Sequence, residues 1–202
     1  MSGKSKKIRL TQSLLSSWEW MYKKDDGYED FLRTLNREPK QATQAMLDGI
    51  QFENVLNNVL KGEELPTSHE WYAPITEMVE ELWGAQQQVN LYADTEVDGQ
   101  RILLHGILDY LKAGHIYDCK FSKRYELNKY LNSPQTPMYL ALVPEAFDFT
   151  YIISDGKYVY RERYPRDIVQ PIEVTIRYFL KFMNSRPDLY KILKEKWSVL
   201  NE

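Results

Sequence analysis

The sequence predicts a mixed α/β (α+β) fold in which an antiparallel three-stranded meander is flanked by helices. Two observations carry this. Residues 89–121 hold three β-prone stretches separated by the turn signals Asp98-Gly99 and Lys112-Ala113-Gly114-His115. On either side, apolar residues recur at spacings of three and four, the period of a helix lying on a core. A chain of 202 residues with 43% hydrophobic and 13% aromatic residues suffices for one packed domain. Residues 1–9 read as a basic tail and 10–202 as that domain.

Leu10, Leu14, Trp18 and Tyr22 recur every four residues and predict a first helix with Thr11 as N-cap, ended by Asp25-Asp26-Gly27. A short helix over 28–37 stops before Pro39. The strongest helix covers about 41–61, with the seam Met46, Gly49, Glu53, Leu56, Leu60. Glu53 is the misfit in that seam. A carboxylate at a core position must be paired, protonated or bound to a cation, unless the seam is open and Glu53 reaches solvent at its edge. Gly49 removes bulk one turn earlier, although glycine costs a helix about 1 kcal/mol relative to alanine. After a loop at Gly62 and Pro66, a second long helix is expected over 68–87, with Pro74 near its true start. Strands follow at 89–93, 101–111 and 116–121. The basic aromatic loop Ser122-Lys123-Arg124-Tyr125 precedes a helix that runs to about 142, with Ser133 or Thr136 capping it. Strands at 147–153 and 158–163 turn at Asp155-Gly156. Helices at 166–184 and 188–198 close the chain, and their aromatics read as helix–helix packing.

The stretch from Gly106 to Lys120 carries the chemistry. A hairpin symmetric about the Ala113–Gly114 bond sets Asp109 across from Asp118, with Cβ atoms roughly 5 Å apart. Alternation along the strand puts Lys120 on the same face and assigns Leu108, Tyr110, Tyr117, Cys119 and Phe121 to the core. Opposed carboxylates repel. A divalent cation taking oxygen ligands relieves that repulsion; solvation of an exposed hairpin is the other reading. A three- or five-residue loop would separate the two Asp residues onto opposite faces.

Composition excludes several classes. The net charge of −3 gives no general basic signature for nucleic acid, so such binding needs a local patch or a metal bridge. A single cysteine, Cys119, excludes a disulfide framework and a four-cysteine cluster within one chain. No apolar run approaches the length of a membrane span, and a soluble intracellular protein is expected. His69, His105 and His115 offer neither zinc spacing nor a nucleophile triad; His105 reads as a packed strand residue.

Four motifs stand in one order: Gly49 to Glu53 on a helix, Gly106 to Asp109 on a strand, Asp118-Cys119-Lys120 on the next strand, and Gln135 to Tyr139 on a helix. This set resembles the PD-(D/E)XK nuclease superfamily and, within it, the RecB-type exonuclease domain. The Ser-rich opening Leu10 to Trp18, which includes Ser13, is similar to that group's helix start. The resemblance covers about 10–182. It implies a restriction-endonuclease-like core with a mixed central sheet, and Mg²⁺ or Mn²⁺ held by Glu53, Asp109, Asp118 and the Cys119 carbonyl. Lys120 is then the catalytic lysine, supported by Gln135 and Tyr139, which would bond the lysine or the nucleic-acid backbone. Lys123, Arg124, Tyr125, Gln135 and Ser13 are candidate DNA contacts. Many relatives carry His at the position of Glu53, so this ligand set is all oxygen. The cysteines of an iron–sulfur cluster are absent. The implied activity is DNA phosphodiester hydrolysis, probing linear ends or single strands, in phage or mobile-element, recombination or repair processes. A helicase or recombination protein would be a separate chain, and the location cytoplasmic or nucleoid-associated. The alternative is a nuclease-fold module that binds nucleic acid or protein without cutting.

Overall fold

The computed structural model describes residues 6–23 and 25–200. In chain order the elements are β1 (Lys7–Thr11), α1 (Gln12–Trp20), α2 (Gly27–Leu35), α3 (Gln44–Leu60), α4 (Tyr72–Leu82), β2 (Gln86–Val97), β3 (Gln100–Lys112), β4 (His115–Phe121), α5 (Gln135–Leu142), β5 (Asp148–Ser154), β6 (Val159–Pro165), α6 (Ile172–Asn184), α7 (Pro187–Trp197) and β7 (Ser198–Val199). The mixed α/β class and the antiparallel meander β2–β3–β4 are as expected.

The sheet runs β6-β5-β4-β3-β1-β7, with β2 also on β3. The β1–β3 and β4–β5 pairs are parallel and the others antiparallel. β3 organises it. β2 covers one edge of β3 from Gln100 to Leu111, so β1 and β4 must share the other. β1 takes Ile102 to His105 and β4 takes Tyr110 to Lys112. Between them, residues 106–109 face a gap in the sheet. Helix α5 lies at that gap: the Tyr139 hydroxyl donates to the Ile107 carbonyl at 3.0 Å, satisfying a backbone acceptor that no strand reaches. Gly106 makes the approach possible, because a Cβ there would stand 2.7 Å from Tyr139 Cε1 and Leu142 Cδ1.

Helices cover both faces. One apolar cluster joins the sheet to α1, α2, α5, α6 and α7 through residues such as Leu14, Phe31, Met138, Ile176 and Leu193. The other joins α3 and α4 to Tyr110, Cys119 and Ile152.

Several expectations need correction. Residues 7–9 are not tail. They belong to β1, held between β3 and β7, while Met1–Ser5 lie outside the described residues. Leu10 therefore lies within a strand, and the helix begins after Thr11, whose hydroxyl accepts from Leu14 N at 3.3 Å. The helix expected over 68–87 is only Tyr72–Leu82. Gly84, at φ +79°, ends it, and β2 claims residues 86–87. The helix expected from 166 begins at Ile172, after a short 3-10 turn at Arg166–Ile168. In α3 the buried seam is Phe52 and Leu56, while Met46 is exposed, and a Cβ on Gly49 would meet nothing within 4 Å.

Candidate active site

The β3–β4 turn sets the site's register. Ala113 and Gly114 sit at φ +50° and +80°, so the loop has two residues of primed-turn geometry, which matches the right-handed twist of its strands. Alanine in the left-handed region costs about 1–2 kcal/mol. Gly114 is required twice over, since a Cβ would also enter the Phe147 ring at 2.8 Å. Lys112↔His115, Leu111↔Ile116 and Tyr110↔Tyr117 pair in turn. The next step brings Asp109 opposite Asp118, where the strands part at the gap.

Asp118 is 2% exposed. Gln135 Nε2 donates to its Oδ1 in a short hydrogen bond, and Lys120 Nζ lies 2.6 Å from its Oδ2. That second contact is ionic rather than well aligned, for Oδ2 has no partner of hydrogen-bond geometry. Asp109 accepts from the Cys119 backbone N–H at 3.4 Å. Burial, then the neighbouring Asp118 charge, pushes its carboxyl up to about 8, against the relieving Lys120 and with a further push from Glu53. Glu53 is half-buried and raised by burial and by Asp118, while Lys120 and a hydrogen bond with Asn57 act against the rise. For Lys120, burial disfavours the charge, yet Asp118 more than compensates, so its ammonium is held above the ordinary range. Glu53, Asp109, Asp118 and Lys120 thus share one electrostatic neighbourhood.

This donor set suits a hard cation. Asp109 and Asp118 face each other with Glu53 in electrostatic reach, burial and then Asp118 drive Asp109 towards protonation, and a buried Asp118 oxygen lacks an aligned donor. A hard cation held by these carboxylates would relieve their repulsion. Among the described residues no three acidic, histidine or cysteine side chains close on one point; Lys120 and Gln135 hold the Asp118 oxygens instead.

Other candidates land differently. Gln135 bonds Asp118 and Tyr139 bonds Ile107, so both position the site rather than reach outward. The Cys119 thiol is buried among Tyr110 and Ile152, leaving only its backbone near Asp109. Lys123 is exposed and pairs with Asp48 of α3 at 2.6 Å. Arg124 is exposed. Tyr125 is turned inward, its hydroxyl on Glu162 at 2.9 Å and its ring stacked on Tyr160. The Ser13 hydroxyl is 3.0 Å from that of Thr11, and it is Gln12 and Ser16 of the same helix that line the cleft beside Lys120. His105 stacks on Tyr92 and bonds Asn90.

Two site residues escaped sequence reasoning. Asn57 stands one turn after Glu53 and accepts from the Tyr110 hydroxyl at 2.6 Å; its i+4 spacing was the available signal. Gln88 had none. It falls opposite Asp109, where the β2–β3 ladder skips a pair, with φ +51°, and its Nε2 reaches Glu53 Oε1 at 3.4 Å. A non-glycine residue in that region marks local strain, here within a long strand beside the acidic cluster.

No known protein family and no curated protein matches the sequence. Solved structures do match. The crystal structure of SSO0001 superposes with a TM-score of 0.52 and 16% identity over 89% of this chain and 77% of that one. LHK-Exo in complex with dAMP gives 0.51 and 14% over 93% and 92%. At such identities the likeness concerns fold alone: this chain shares its mixed α/β fold with LHK-Exo.

Proposed function

We propose that this protein is a Mg²⁺- or Mn²⁺-dependent deoxyribonuclease that acts on DNA ends. The supporting observation is the shared neighbourhood of Glu53, Asp109, Asp118 and Lys120 at the sheet gap. Its occurrence in a fold shared with an exonuclease adds to this. When bound by Glu53, Asp109, Asp118 and the Cys119 carbonyl, the metal would lower the pKa of a water and polarise the scissile phosphoryl group. Lys120 stays protonated beside Asp118 and therefore acts as a cation. It offsets the charge that builds on the phosphate and orients the attacking water, and does not serve as a base. Gln135 fixes the Asp118 carboxylate, and Tyr139 keeps α5 on the gap. Linear DNA ends in recombination, repair or phage and mobile-element processes are the substrates this chemistry suits, with any motor on another chain. No described helix is long and apolar enough to cross a membrane.

Incubation of linear and closed circular DNA with Mg²⁺ or EDTA tests the proposal. Wild type is expected to degrade linear DNA in Mg²⁺ alone and to spare circles. Lys120→Ala is expected to cut about 100- to 1000-fold more slowly while keeping its fold by circular dichroism, with a lowered melting temperature because the buried Asp118 loses its ionic partner. Equal cleavage by Lys120→Ala, or cleavage in EDTA, overturns the mechanism. One observation favours a second reading, a module that binds DNA without cutting: no three ligating side chains close on a single point among the described residues. DNA retained on the protein, with no product in either metal, would establish that reading.

A further inference from the structure

Three clefts meet at Glu19 and Asn132. The first, of about 330 Å³, contains Lys120 and Gln135 together with Ser16, Lys129 and Tyr130. The second, of about 470 Å³, extends to Trp18, Tyr22, Lys23 and Tyr178. The third leads past Pro134 and Thr175 to Ile168. The candidate active site therefore opens onto a groove crossing α1 and α6.

The groove's chemistry is layered. Aromatic rings stand out from its walls: Tyr22 is 71% and Tyr178 59% exposed. Both rings line the same cleft, so their exposed faces are within reach of a ligand lying in it. Lys23 and Lys129 line the groove and lie over Trp20 at 5.3 Å and Tyr130 at 5.7 Å, and Lys181, outside the lining, lies over the Tyr178 ring at 5.8 Å. The junction itself carries the carboxyl of Glu19. A carboxyl in the floor opposes phosphate but accepts hydrogen bonds from base amino groups, and rim lysines favour phosphate. Bases inward and phosphates outward is the arrangement of an unpaired strand. A duplex presents phosphates to every surface and keeps its base faces stacked.

We infer that this groove is a binding track for single-stranded DNA, in which Tyr22 and Tyr178 stack on unpaired bases and Lys23, Lys129 and Lys181 meet the backbone. The inference rests on the nuclease reading for the strand's destination, at Lys120, and on the groove alone for its recognition. It makes an unpaired end, rather than a closed duplex, the form of DNA presented to the acidic cluster.

The test is fluorescence anisotropy in EDTA, where cutting is suspended, with labelled oligonucleotides of one length: single-stranded, duplex, and single-stranded abasic. The track requires the single strand to bind best and the abasic strand to bind at least about fivefold more weakly, the scale of one lost stacking contact. Tyr22→Ala and Tyr178→Ala should each weaken single-strand binding by about fivefold or more and leave duplex binding unchanged. Both side chains are exposed, so melting temperatures should hold. Equal affinity for normal and abasic strands, or unaltered binding by both variants, overturns the track. A complete lack of single-strand binding does so too and points to a protein partner on this face. Failure of the two readings is separable. Base-dependent binding with no cleavage in Mg²⁺ keeps the track and removes the nuclease; cleavage with tyrosine variants equal to wild type does the reverse.

Discussion

Asp118 is the residue on which the others depend. Both of its oxygens are engaged, one by the Gln135 amide and one by the Lys120 ammonium, and its charge contributes to the raised pKa of both Asp109 and Glu53. Removing that charge without changing shape should therefore disable the cluster. Asp118→Asn is expected to abolish measurable Mn²⁺ binding by calorimetry. Gln135→Ala, which only frees the carboxylate from its support, should weaken binding by about 10- to 100-fold. A Gln135→Ala loss as severe as that of Asp118→Asn would place the glutamine among the direct ligands instead. Gln88 belongs to the same scale. Its strained backbone interrupts the ladder beside Asp109, and nothing in a Gln86-Gln87-Gln88 run announces such a role.

At the scale of elements, two glycines make opposite demands, and a paired substitution exposes the difference. Gly106→Ala drives a methyl against Tyr139 and Leu142. Overpacking of this kind costs about 1–3 kcal/mol, and for a domain of this size each kcal/mol lowers Tm by about 2–4 °C. Gly49→Ala meets open space within a helix and should raise stability by up to about 1 kcal/mol. Differential scanning calorimetry of the two variants checks both signs; a neutral Gly106→Ala would mean that α5 does not need the gap. Much of this level was legible beforehand. The hairpin was readable because alternation and a turn break at Lys112 to His115 are local signals, and a turn symmetric about Ala113–Gly114, although not a favoured pair for one, places Asp109 across from Asp118. Glu53 was readable as a charged misfit, although the seam around it was misjudged: Phe52 and Leu56 are buried and Met46 is not. β1 was missed because the spacing of Leu10, Leu14, Trp18 and Tyr22 ran through the cap at Thr11, and because its pairing with residues 102–105 is distant in sequence. The groove across α1 and α6 was unreadable for the same reason: its walls come from segments more than a hundred residues apart.

For the whole molecule, the crowded acids make stability depend on pH and metal together. The Asp109 carboxyl titrates at about 8 in the fold against 3.8 ordinarily, burial first and Asp118 second. A folded pKa raised in this way contributes stability that is complete below about pH 4 and is lost as pH rises through about 8. Thermal melts in EDTA should accordingly show wild type losing ground to Asp109→Asn between about pH 5 and pH 8. Saturating Mn²⁺ should reverse the difference by binding the folded state of wild type. A gap between the two proteins that stays constant across that range would show that the carboxyls are not in conflict.

The pairing of β1 with β7 has a consequence for how the chain is made. Lys7 and Ile8 stand opposite Val199 and Ser198 in the ladder, so an early-synthesised strand receives its outer neighbour only when almost the last described residues have left the ribosome. Until then its outer edge stays open, and an open edge invites pairing with other nascent chains. Messages cut short within α7 would release proteins that possess every residue of the acidic cluster and yet carry a bare, adhesive border.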